Sequence, residues 1–145
     1  YNWNVSKNGG EKILIACPEY RIDFDKVFEI KSGDKFTAET VMDIPETRYL
    51  RYMVHTVHRN IGMFIDGEKI IDIEQGDPYL PAYHRVCPDA KVTTEAGKHN
   101  IKIEVTAANT ETPFDVAFQA VDHSCVFDKK RGLLQDDILT SFDAK

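Results

Sequence analysis

The chain has 145 residues, of which 42% are hydrophobic and 29% charged, with a formal net charge of −6. That is enough for one domain with a real hydrophobic core, and it excludes intrinsic disorder. No apolar run approaches the roughly 20 residues that span a bilayer. The acidic balance also excludes a nucleic-acid footprint, because the basic cluster Lys129-Lys130-Arg131 stands among Asp128, Asp136 and Asp137. The start, Tyr1-Asn2-Trp3-Asn4-Val5, shows neither a basic nor an apolar leader segment. A beginning without Met fits a processed chain or a piece of a longer one. Cys17, Cys87 and Cys125 form no C-x-x-C pair, which excludes a zinc ribbon. One disulfide plus a thiol, or three buried thiols, both fit the count.

In chain order, the first strand signal is Lys12 to Ala16, ended by Cys17-Pro18. From Arg21 to Ile30, Ile22, Phe24, Phe28 and Ile30 share a parity, which predicts a half-buried strand. Ser32-Gly33-Asp34 turns the chain into a strand over Lys35 to Met42, and Ile44-Pro45-Glu46-Thr47 breaks it. Tyr49 to His58, rich in aromatic and β-branched residues, predicts a central strand. Ile61, Met63 and Ile65 then lead into Asp66-Gly67, whose residue types suit the positive-φ positions of a type I′ hairpin. Glu68 to Ile73 is the returning strand. The stretch from Gln75 to Ala90 holds Gly76, Pro78, Pro81 and Pro88 and predicts a long loop. Lys91 to Thr94, His99 to Ala107 and Phe114 to Val121 complete the strands. In His99 to Ala107, Ile101, Ile103 and Val105 alternate with polar residues. Beyond Asp122, Leu134, Ile138 and Phe142 recur at helical spacing and predict a short C-terminal helix over Leu133–Phe142.

About eight or nine short strands with frequent turns, and no helix–strand alternation, point to an all-β sandwich of the jelly-roll type. The expected organisation is a sandwich domain over 1–121 and a tail over 122–145. The tail either packs on the sandwich or links to a further domain.

The phrase Gly62-Met63-Phe64-Ile65-Asp66-Gly67-Glu68-Lys69-Ile70-Ile71-Asp72 resembles the strand–Asp-Gly–strand hairpin of galactose-binding-like jelly rolls and of PA14-type domains. Ala96-Gly97-Lys98-His99-Asn100-Ile101 is similar to the strand entry in both families. The resemblance covers roughly Asp34 to Val121. It implies a carbohydrate-binding module of the kind that accompanies carbohydrate-active enzymes. The calcium-holding adjacent aspartates of PA14 adhesins have no counterpart within the strand region. The only adjacent pair is Asp136-Asp137, so no calcium site is carried over. A structural calcium stays open with no residues assigned, and no other cofactor is expected.

Among candidate sites, Tyr79, Tyr83, His84 and Arg85 in the long loop stand first. Aromatic faces suit the C–H surface of a sugar, and an arginine fork suits hydroxyls or a uronic-acid carboxylate. The alternative is that the tyrosines pin the loop to the sandwich. His55 and His58 invite a metal, but on a strand their opposite parity sends them to opposite faces. One is expected on the outer face and one near the strand end. No carboxylate pair is singled out by its spacing. No G-x-S-x-G elbow occurs, and Gly9-Gly10 lacks the lysine and strand–helix setting of a phosphate loop.

The sequence therefore favours a non-catalytic carbohydrate-binding module of a larger carbohydrate-active or cell-surface protein, acting outside the cell. Its partners would be a carbohydrate ligand and a neighbouring domain or subunit. A structural module that only packs against such a neighbour is the alternative, and a small jelly-roll enzyme is the third reading.

Overall fold

In the computed structural model, the described residues are 1–17, 21–76, 89–108, 114 and 116–122, together with the backbone of 127–128, 133–134 and 137–138. Its strands are β1 (Asn2–Lys7), β2 (Ile13–Ala16), β3 (Lys35–Ile44), β4 (Arg48–His55), β5 (Arg59–Ile65) and β6 (Glu68–Gln75), then β7 (Asp89–Thr94), β8 (Gly97–Thr106) and β9 (Ala117–Asp122). Three two-residue strands follow: β10 (Phe127–Asp128), β11 (Leu133–Leu134) and β12 (Asp137–Ile138). One sheet has the order β2-β1-β3-β8-β5-β6 and the other β12-β9-β4-β7, while β10 and β11 pair separately. Every strand pairing is antiparallel. From β3 onward the chain passes repeatedly between the two main sheets, as a jelly-roll sandwich requires. The expected all-β sandwich is the observed fold.

Alternation builds the core. On β3, Phe36, Ala38, Met42 and Ile44 are buried together with Thr40, while the residues between them are half-buried or exposed. Their register partners Ile101, Ile103 and Val105 on β8 are buried with them. Leu50, Tyr52 and Val54 of β4 and Phe118 and Ala120 of β9 supply the opposing layer. Trp3 and Phe118 meet across it edge-to-face at 5.8 Å, and Phe118 stacks on Tyr52 at 6.3 Å. Burial of this apolar surface is the main drive for the fold. The phenol of Tyr52, pushed up to about 12 by burial, shares a 2.6 Å hydrogen bond with the hydroxyl of Thr94. That bond satisfies the phenol's polar end inside the core.

The expected central strand is β4, flanked by β7 and β9. Asp66 (φ 49°) and Gly67 (φ 85°) both occupy the left-handed region, as a type I′ turn between β5 and β6 demands.

Arg21 to Ile30 departs from expectation. Arg21 makes one isolated bridge to Ala117, and Phe24–Lys26 winds into a 3-10 turn. Ile22 and Phe24 are fully buried, whereas Phe28 and Ile30 are only partly so. The buried carboxylate of Asp23 pairs with Arg21 at 2.6 Å and Lys26 at 3.1 Å, and the amide of Lys26 donates to the carbonyl of Asp23. These local bonds favour a turn, and the two buried anchors Ile22 and Phe24 suffice to seat it without a ladder. The predicted helix over Leu133–Phe142 falls mainly outside the described residues. Leu133–Leu134 and Asp137–Ile138, the described part of it, are extended, and the latter pair with Val121 and Asp122 of β9.

Candidate functional site

Tyr79, Tyr83, His84 and Arg85 lie outside the described residues. The backbone just before them is tied down at Gly76. The amide of Gly76 donates to the carbonyl of His58 at 2.9 Å. A Cβ at Gly76 would fall well inside van der Waals contact of the carbonyl oxygens of Thr56 and His58. Only glycine permits so close a backbone approach. On the far side, Asp89 opens β7 and pairs with Arg51 at 2.8 Å.

A broad concavity lies on the outer face of the six-stranded sheet. It is a groove of about 940 Å³ crossing β3, β8, β5 and β6 and flanked by the turn after β1. Antiparallel register explains its lining. Thr37 of β3 stands opposite Glu104 of β8, Glu104 opposite Gly62 of β5, and Gly62 opposite Asp72 of β6. All four have the outward parity. Gly62 leaves a gap in this row, over which the stem of Lys69 and the ring of Phe64 lie. An added Cβ would meet them at 3.2 and 3.3 Å. Lys69 reaches Asp72 at 3.1 Å, while its ammonium and that of Lys102 stand 5.6 and 4.2 Å from the Phe64 ring centroid. The aromatic face is thus covered by lysines. What the groove offers a ligand is mainly hydrogen-bonding groups: amides, hydroxyls, carboxylates and ammoniums.

The turn that flanks it is held by hydrogen bonds. Asn8 adopts φ 51° and exchanges backbone and side-chain bonds with Lys35: its amide donates to the Lys35 carbonyl at 2.7 Å, and its Oδ1 accepts from the Lys35 amide at 2.8 Å. Its Nδ2 donates to Asp34 at 3.0 Å. This bond, with the Lys31 amide and the Lys7 ammonium, holds the Asp34 carboxyl below its ordinary range.

The histidines separate, but because β4 ends at His55, three residues short of the expected His58, strand parity governs only the first. His55 has the outward parity of β4 and meets Gln119 Oε1 at 3.1 Å. His58 follows the strand end, is fully buried, accepts from the Ala108 amide at 2.9 Å and packs 4.6 Å from the Phe114 ring. Among the described residues, no group of three or more His, Cys, Asp or Glu could hold a metal ion.

His99 plays a part the sequence did not disclose. Its Nδ1 lies 2.6 Å from Asp66 Oδ2 and its Nε2 lies 2.7 Å from the Glu95 carbonyl. Asp66 Oδ1 accepts from the Asn100 amide at 2.8 Å. This clamp ties the β5–β6 hairpin to the turn before β8. It gives the resemblance phrases a physical link, since the Asp of one holds the His of the other. Partial burial disfavours the charged His99, but the Asp66 carboxylate and the Glu95 carbonyl outweigh it and raise its pKa above 6.5. Partial burial likewise opposes the Asp66 charge, and the bonds from His99 and Asn100 outweigh that, lowering its pKa below 3.8.

The groove residues escaped the sequence reading because each looks like an ordinary solvent-facing member of an alternating strand. The available signal was the concentration of Thr, Glu, Asn and Lys at outward positions of β3 and β8.

No protein-family model matches the chain, and no curated protein matches it. The fold is similar to part of the GH31 alpha-xylosidase from Xanthomonas citri, with a TM-score of 0.59 at 14% identity. That match covers 98% of this chain and 16% of the xylosidase, so the chain corresponds to a small part of that protein's length. The PA14 domain of the MpAFP antifreeze protein matches with a TM-score of 0.42 at 13% identity, over 76% of this chain and 53% of the domain's chain. The chain is thus a β-sandwich whose fold also occurs within a much longer glycoside hydrolase.

Proposed function

We infer that this domain is a non-catalytic carbohydrate-binding module, of galactose-binding-like or PA14-like type, in a larger carbohydrate-active or extracellular cell-surface protein. The observation that carries the reading is the open groove on the six-stranded sheet, lined by amides, hydroxyls, carboxylates and ammoniums. Such groups exchange water for sugar hydroxyls at little net cost, and equilibrium binding follows without a reaction. Affinity is expected in the millimolar-to-micromolar range, since a few polar contacts must offset ordering costs. The occurrence of the fold within an alpha-xylosidase makes xylose-containing glycans the natural first probes.

Isothermal titration against neutral and acidic polysaccharides tests this. Binding that is lost in a Thr37→Ala/Glu104→Ala double variant supports the groove. Binding lost instead in Tyr83→Ala/Arg85→Ala places the ligand at the long loop. Binding to no polysaccharide overturns the reading.

A second reading, a module that packs against a neighbouring domain or subunit, draws on one observation. Edge strand β2 exposes Ile13 at 37% and Leu14 at 59%. Apolar side chains on an unpaired sheet edge favour association. Leu14→Lys would then abolish self-association or partner docking in sedimentation, and an unchanged assembly state would remove this reading.

A further inference from the structure

Resting on the carbohydrate reading, we propose that the ligand is a linear, neutral oligosaccharide lying along β3 and β8 across two consecutive subsites. The groove of about 940 Å³ is followed along the same face by a second depression of about 330 Å³. Register places them in sequence. The first holds the row Thr37–Glu104, and the second holds Glu39–Lys102 and then Val41–Asn100. Outward residues on a strand recur about every 6.6 Å, so the lined track from Lys35 to Val41 runs about 20 Å. That is the length of several sugar rings, more than one terminal residue would use.

The two depressions share a boundary. Lys102, which lines the second, pairs at 3.5 Å with Glu104, which lines the first. Glu39 is held by Lys12 at 2.6 Å from the turn before β2. These ion pairs are solvent-accessible, so their energetic contribution is small and a ligand's hydroxyls can exchange into them readily. Charge selects the ligand class. The first depression presents Asp72, Glu74 and Glu104 with Lys35 and Lys69, and the second presents Glu39 and Lys102, which pair with Lys12 and Glu104. A polyuronate would have to draw Lys69, Lys102 and Lys12 away from the carboxylates they already pair with, whereas a neutral chain finds donors and acceptors in both subsites.

The test is titration of the whole chain with mono- to hexasaccharide ladders of β-1,4-linked xylose, glucose and mannose and of α-1,4-linked galacturonic acid. The expected result is affinity rising about tenfold from disaccharide to hexasaccharide on at least one neutral ladder, the worth of one or two added hydrogen bonds. Asn100→Ala, an exposed position on β8, should remove that gain while leaving disaccharide affinity unchanged. Glu39→Gln gives a second, conservative probe of the same subsite. A ladder that binds with no length dependence, or stronger binding of the galacturonate series, overturns the two-subsite proposal and leaves the binding module standing. Failure of every ladder at every length overturns both.

Discussion

The outer faces of the two sheets arise from the same period-2 alternation and end in different environments. On β3 and β8, the outward Thr37, Glu39, Lys102 and Glu104 remain partly exposed, and the last three engage in ion pairs. On β4 and β9, the outward Met53, His55 and Val121 are buried, with 8%, 8% and 6% exposure, whereas Tyr49 is exposed and Arg51, Ala117 and Gln119 are half-buried, so only the patch around Met53 is dry. Parity decides which side of a sheet a residue faces, and not whether that side is wet. A wet, polar face can trade its bonds with a ligand reversibly. A dry patch such as that around Met53 is committed to packing, and the candidate site lies where outward polar groups line a groove, on the six-stranded sheet.

Substitutions that place the same charge on each face test this most strongly. Met53→Asp puts an uncompensated carboxylate into the dry layer and should destabilise the fold by about 3 kcal/mol. Val41→Asp, outward on β3, should stay within about 0.5 kcal/mol. Urea unfolding midpoints give both values, and equal losses would erase the distinction between the faces. Two glycines sharpen it at the next level. Gly76→Ala would drive a methyl into the carbonyls of Thr56 and His58 and should cost about 2 kcal/mol or more. Gly62→Ala meets only side chains, Lys69, Phe64 and Glu104, on the wet face and should cost less than about 1 kcal/mol. Thermal unfolding of the pair in the reverse order would show that the outer face is the more tightly packed.

Tyr52→Phe probes the interior that both sheets share. Loss of the bond to Thr94 should cost about 1 kcal/mol. Because burial pushes that phenol up to about 12, spectrophotometric titration should lose its last-ionising tyrosine in the variant. Loss of an early-ionising tyrosine would contradict the buried assignment.

The smallest effect is expected from pH. With its two ring nitrogens facing the Asp66 carboxylate and the Glu95 carbonyl, His99 satisfies both only when doubly protonated. A raised histidine pKa means that its stabilisation is complete below 6.5 and fades as pH rises through the higher folded value. Asp66, lowered, contributes above 3.8 and loses that contribution as pH falls through its folded value. The clamp is therefore strongest between the two and weakens on either side. NMR titration of the His99 ring should give a pKa above 6.5 that drops in Asp66→Asn. An unchanged pKa in that variant would dissolve the clamp.

Local chemistry made much of the sandwich legible. Asp66-Gly67 named its hairpin, and Ile101, Ile103 and Val105 named their inward face, because turn dihedrals and strand parity depend on neighbours in the chain. The same logic misjudged Arg21 to Ile30. There Ile22 and Phe24 alternate like a strand, while Asp23 bonds to Arg21 and Lys26 and winds the segment locally. The groove was illegible for a different reason. Its lining brings Asn8, Thr37, Glu104 and Asp72 together across strands distant in sequence.

By itself, then, the sequence determined the strand periods, the hairpin turns, the buried aliphatic rows and the all-β class. All of these follow from forces acting over a few residues. Only the tertiary structure decided that β1, β3, β8, β5 and β6 lie side by side, that Met53 is dry while Glu104 is wet, and that Asp66 grips His99. These depend on sheet order and on what each face meets once the chain has closed, and no local pattern carries that information.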